Sequence, residues 1–135
     1  MIDPHIAVRE FLISQEPFAS LVGDRLYGGR SEPPKGFSPS DGDCVAFMVR
    51  PGVGPDYEDA LFTASVQFKC YGFDALDSSS EVESFNLYRS LYDALHNGHD
   101  ATLLWGLTEG VGQILSEPET GWFFVLAYFT VMLRQ

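Results

Sequence analysis

The sequence predicts an α+β domain: a single mostly antiparallel or mixed β-sheet, with an N-terminal helix and a central helix packed on one face. Three stretches carry that expectation. In residues 60–71, Ala60, Phe62, Ala64, Val66, Phe68 and Cys70 alternate with Leu61, Thr63, Ser65, Gln67, Lys69 and Tyr71. A period of two puts the first set on a buried face and the second toward water or a partner. Next, Val82, Phe85, Tyr88, Leu91, Tyr92 and Leu95 recur at helical steps, with Glu83, Asn86, Ser90, Asp93 and Asn97 opposite. Ser78 and Glu81 have capping-box spacing for this helix, and Gly98 is placed to end it in a left-handed conformation. Last, residues 122–133 form a strand apolar on both faces, which demands a mid-sheet position or cover from another subunit. A strand with one greasy face followed by a helix with one greasy stripe must dock, sheet against helix.

The other elements follow in order. Asp3-Pro4 starts the first helix, with Asp as cap and Pro at the first helical position. Val8, Phe11 and Leu12 form its stripe, with Ile6 beside them, and Pro17 stops it. Residues 18–22 add a short turn closed by Gly23, and residues 25–27 are extended. Residues 28–42 hold three prolines and four glycines and form a long loop. Loops of that length in a compact domain are usually functional or disordered. Residues 43–50 are a strand apolar on both faces, hence interior to the sheet. Residues 51–59 form a second long loop, rich in Gly, Pro and acids, joining this strand to the next as an extended hairpin. Residues 102–107 are a strand. The glycines at 106, 110 and 112 make the continuation to Ser116 a weak one, bent or bulged. Residues 117–121 are a turn.

A chain of 135 residues is one domain by default, here 1–135, and large enough to hold a core without staples. Its 19 acids against 8 bases give a net charge of −11, with no basic run. That disfavours tight phosphate binding and anionic membrane surfaces. Cys44 and Cys70 read as reduced core thiols, with a cross-strand disulfide left open. No basic region precedes an apolar run at the N-terminus, so no signal peptide is expected. The longest apolar run falls well short of the roughly 20 residues of a spanning helix. A soluble protein made in the cytoplasm is expected.

Candidate chemistry is thin. His96 and His99 share a spacing seen in metal sites. However, Gly98 separates them and no further ligand follows, so a histidine satisfied at a helix C-terminus is the better reading. Asp56, Glu58 and Asp59 lack the calcium-loop pattern. Gly28-Gly29 with Lys35-Gly36 is no phosphate loop, Gly52-Val53-Gly54 lacks the third glycine of a dinucleotide turn, and no nucleophile elbow occurs. The aromatics of 122–133 could stack bases, but core packing explains them without basic neighbours. No enzyme, metal or cofactor is expected. A small-molecule-binding α+β domain remains the competing class, to be recognised by a pocket with convergent polar groups.

Two long strands joined across a Gly/Pro loop, the segment Val66-Gln67-Phe68-Lys69-Cys70-Tyr71, and a helix ending Leu91-Tyr92-Asp93-Ala94-Leu95 form a pattern. With the N-terminal helix and the Leu21-Val22-Gly23-Asp24-Arg25-Leu26 turn, it resembles the tail terminator (tail-completion) proteins of long-tailed bacteriophages. The resemblance covers nearly the whole chain as an order of elements. It implies a virion protein at the head–tail junction, assembled in the host cytoplasm as a ring, with six copies expected. Such a ring caps the tail tube, stops its polymerisation and meets the head-side connector; a neck adaptor or stopper is the sibling alternative. The partners implied are further copies of the chain, the tail tube protein and the connector or stopper, with DNA passing through unbound. Candidate assembly contacts are Arg30, Lys35, Phe37, Arg50, Val53, Asp56, Tyr57, Glu58, Asp59 and Glu109, mostly on the two long loops.

Overall fold

The computed structural model describes residues 3–50, 56–58 and 61–134. Within them the helices are α1 (Pro4–Leu12), α2 (Phe18–Val22) and α3 (Glu81–Leu95). The strands are β1 (Leu26–Gly28), β2 (Cys44–Val49), β3 (Asp56–Glu58), β4 (Leu61–Tyr71), β5 (Leu103–Thr108), β6 (Gln113–Ser116) and β7 (Phe123–Arg134). These strands form one mixed sheet in the order β1-β2-β4-β7-β5. β3 extends the β2 side by pairing with β4, and β6 extends the β5 side by pairing with β7. β1 runs parallel to β2 and every other pairing is antiparallel. The α+β expectation therefore holds, down to the helices lying together on one face.

The axis of the sheet is the β4–β7 pair, in register from Leu61↔Arg134 to Tyr71↔Phe124. On its helix side Phe62, Ala64, Val66, Phe68 and Cys70 meet Val125, Ala127, Phe129, Val131 and Leu133, all buried. Val8, Phe11 and Leu12 of α1, Phe18 and Val22 of α2, and Leu87, Leu91 and Leu95 of α3 close over them as one core. The double-sided apolar strand of the C-terminal region is thus mid-sheet, flanked by β4 on one side and by β5 and β6 on the other. The second face of β7 is only partly covered, because Leu126, Tyr128 and Met132 stay half-buried.

Several local expectations change. The cap of α3 is Ser80, whose hydroxyl accepts from the Glu83 N–H at 3.2 Å, not Ser78. The buried stripe of α3 is Ser84, Leu87, Tyr88, Leu91 and Leu95, while Val82 is 68% and Phe85 37% exposed. Small, polar Ser84 is inside because Gly72, just after β4, abuts the first turn of the helix. A Cβ on Gly72 would lie 2.2 Å from the Ser84 nitrogen, so only glycine fits. Helix α3 ends at Leu95, and the left-handed residue after it is Asn97 (φ 62) rather than Gly98. Gly98 is instead a close-approach position, where a Cβ would meet the Ala94 carbonyl and the Phe11 ring, each at 2.6 Å. In α1, Asp3 caps and Pro4 opens the helix as expected, but Ala7 is inside and Ile6 outside. Residues 56–58, read as loop, are a strand on β4. Residues 51–55, 59 and 60 lie outside the described residues.

The cysteines are free and buried. Cys44 is opposite Tyr71 and Cys70 is opposite Val45, so the two thiols point to opposite faces of the sheet and cannot bridge. Burial pushes both thiols up from their ordinary pKa. No helix among the described residues is long and apolar enough to cross a membrane.

Candidate interaction face of the sheet

The face of the sheet away from the helices is built from the other alternation: Met48 on β2, Thr63 to Tyr71 on β4, and Phe124 to Met132 on β7. Its two ends differ. At the Tyr71 end the 28–42 loop folds back over the strands. Phe37 from that loop lies 5.7 Å from Phe73 and 5.8 Å from Trp122, ring centre to ring centre. Beneath them Cys44, Tyr71 and Phe124 complete a second, smaller core. The loop is therefore ordered by aromatic packing, anchored by a short 3-10 turn at Pro39–Asp41 that Ser38 caps. Between the loop and the β6–β7 turn runs a groove of about 460 Å³ lined by Glu32, Lys35, Phe37, Tyr71, Glu117 and Trp122. On its floor the Tyr71 hydroxyl donates to Glu117 at 2.6 Å, and Lys69 approaches the same carboxylate at 3.6 Å. Burial first, and then the Glu117 contact, raise the pKa of Tyr71, so its phenol stays protonated.

Six residues back along β4, about 20 Å at strand rise, a polar cluster occupies the uncovered half. The Ser65 hydroxyl donates to Glu109 at 2.5 Å. The Arg50 guanidinium pairs with Glu109 at 3.5 Å and lies 4.6 Å from the centre of the Tyr128 ring. Backbone bonds hold the frame: Arg50 N–H to the Ser65 carbonyl, and Glu109 N–H to the Tyr128 carbonyl, both 2.9 Å. Arg50 Nε is buried with no acceptor among the described residues.

Of the residues singled out in the sequence, Arg50 and Glu109 are brought together here from segments 59 positions apart in number. Phe37 is used internally, in the aromatic cluster. Arg30 and Lys35 are exposed on the 28–42 loop, where Arg30 donates to the Glu32 carbonyl at 2.8 Å. Asp56, Tyr57 and Glu58 are on β3 at the edge of the sheet, and Val53 and Asp59 are outside the described residues. Sequence reasoning missed Ser65 and Tyr128, whose signal was present: they fall on the non-core alternation of the two axial strands.

His5 and His96 serve structure, and His99 is exposed. His96 stacks on Tyr92 at 4.7 Å, and its Nδ1 accepts the Thr108 N–H at 3.2 Å. His5 Nε2 accepts from the Val49 N–H, also at 3.2 Å. Among the described residues no group of three or more His, Cys, Asp and Glu could hold a metal ion.

The residues thus define an α+β domain with one sheet face sealed by helices and the other carrying a polar cluster beside half-buried apolar side chains. That fold is shared with a chain in a solved structure described as the virion of native gene transfer agent (GTA) particle. The TM-score is 0.64 at 14% identity, over 98% of this chain and 95% of the other. No protein-family model and no curated protein matches the sequence.

Proposed function

We propose that this protein is a structural component of a phage-like virion: a tail terminator whose copies form a ring on the finished tail tube. The observation that carries this is the likeness to a chain of the gene transfer agent virion, which runs nearly end to end in both chains. The order of elements that resembles tail terminators supports the finer role. The uncovered half of the sheet supports a protein that works by contact. Met48, Leu126, Tyr128 and Met132 are half-buried there around an ion pair, an apolar centre with polar groups that suits a subunit interface. A ring closes when each copy offers one surface to the next in heterologous contact. The function is capping: one ring face matches the last tube ring, the other does not, and growth ends. A net charge of −11 suits a pore that lets DNA through without holding it. No catalytic step is assigned.

Native mass spectrometry of the purified chain, alone and with tube protein, tests the ring: six copies are expected. A monomer that never engages tube protein at any concentration overturns it. Electron microscopy of particles assembled without the protein separates the roles. Overlong or ragged tails mean a terminator, and tailless heads beside normal tails mean a neck adaptor or stopper.

A further inference from the structure

We propose that the groove at the Tyr71 end of the sheet receives the exposed row Val82, Phe85 and Arg89 of α3 from the next copy of the chain. This rests on the ring proposed above and names two surfaces that would join its subunits.

The groove has aromatic walls and an acidic rim. Half-buried Phe37 and Trp122 flank it, over the fully buried Tyr71. The Tyr71 hydroxyl gives its single proton to Glu117, and no donor among the described residues reaches its oxygen, which has lone pairs to spare. Glu117 is engaged by Tyr71 and Lys69. Glu32 and Glu119 are not: both are exposed, and neither carboxylate has a hydrogen bond or ion pair among the described residues. Lys35 also lines the groove, and it too has no ion pair there. Aromatic walls, a phenol oxygen short of a donor and two unpaired carboxylates select a cation that carries N–H donors on an apolar stem. That is an arginine or lysine side chain.

The chain has such a side chain to offer. Arg9, Arg25 and Arg30 are held by backbone carbonyls, and Arg50 and Lys69 by glutamates. Arg89 is exposed on α3 with no hydrogen bond or ion pair among the described residues. Steps of three and four put it in one row with Val82 and Phe85, both exposed. An apolar row ending in a guanidinium is the counterpart of aromatic walls rimmed by carboxylates, and aromatic and arginine side chains are the ones that interfaces favour. Arg134, at the end of β7, has no exposed large apolar side chain on its strand.

The sheet stands between the row and the groove. α3 packs on the Phe68 face, and the groove opens on the Tyr71 face. A copy therefore cannot fill its own groove. Filling every groove with the next copy's helix is a heterologous contact, the kind that closes into a ring. The contact also accounts for an aromatic residue, Phe85, being left at the surface of α3.

Native mass spectrometry and sedimentation of the full chain read the test. Arg89→Glu and Glu119→Arg, both at exposed positions, should each raise the concentration at which the ring half-assembles by about tenfold or more. The double variant Arg89→Glu/Glu119→Arg should bring it back to within about threefold of the parent. In an independent arm, Arg89→Cys/Glu119→Cys treated with a short bis-maleimide should give a ladder of cross-linked copies on denaturing gels. Each single variant should give none, since Cys44 and Cys70 are buried. A parent that forms no ring overturns the reading beneath the proposal and the proposal with it. A ring that ignores both charge reversals, or that the double variant does not restore, overturns the proposal alone and leaves the ring standing. So does loss of tube-protein binding from an intact ring, because the occupant would then be another protein.

Discussion

Ser84 is fully buried, and its hydroxyl accepts the Gly72 N–H at 2.9 Å while facing the Ser80 and Phe123 carbonyls at 2.8 and 3.2 Å. Ser84→Ala would strand the Gly72 N–H, and a loss of about 1–3 kcal/mol in urea unfolding is expected. Gly72→Ala acts at the same junction by backbone overlap and should lose at least as much. Asp43 is the second residue whose surroundings make a prediction. Burial raises its carboxyl pKa above the ordinary value, against the opposing bond from the Phe73 N–H. The folded state therefore holds this proton to higher pH than the unfolded chain does. Stability should fall as pH rises through the window that starts at the unfolded value, about 4, and ends at the higher folded one. Asp43→Asn keeps an acceptor for Phe73 and should be more stable than the parent near neutrality, with the gap closing below pH 4. Unfolding curves of both chains across that range check the sign. Neither Ser84 nor Asp43 could be assigned from sequence, because each owes its environment to a chain reversal that brings distant backbone against it.

At the scale of elements, alternation was the legible signal. Both axial strands and the core face of β4 follow from a period of two, and the interior positions of β2 and β7 from their being apolar on both faces; which face of β7 meets the helices was not legible. The ends of elements were not legible. A helix cap depends on which serine of Ser78-Ser79-Ser80 the returning chain holds extended, and the tertiary contact at Gly72 decides that. The stop of α3 likewise passes to Asn97, because Gly98 is needed where Phe11 leaves no room for a Cβ. Asn97→Gly should therefore change stability by no more than about 1 kcal/mol. Gly98→Ala should cost about 1–3 kcal/mol in the same assay, since Phe11 is fixed in the core. β3 was hidden for another reason: three residues are too few to display a period, and only pairing with β4 makes them a strand. The cysteine question left open by sequence is settled by register. Both thiols should ignore Ellman's reagent in buffer and react when the chain unfolds in guanidinium.

For the molecule as a whole, the sealed face was foreseeable and the open one was not. Phe37 read as a residue available to partners, yet aromatic neighbours from three segments, Tyr27, Phe73 and Trp122, hold it. Arg50 and Glu109 were singled out separately, and only the pairing of β4 with β7 puts them in contact. In the proposed ring their value lies between subunits. Glu109→Lys should shift the unfolding free energy by no more than about 1 kcal/mol, the scale of a partly exposed ion pair. The same change should lower the hexamer fraction in native mass spectra; an unchanged hexamer would remove this cluster from the interface. The β4–β7 register has one more consequence, during synthesis. β7 is translated after β4, β5 and β6, yet it is the strand that all three pair with. A nascent chain still lacking β7 holds three strands, β4, β5 and β6, without the partner they share. Such a chain is a client for chaperones rather than a half-built domain. The sheet can close as one unit only when those twelve residues have cleared the ribosome.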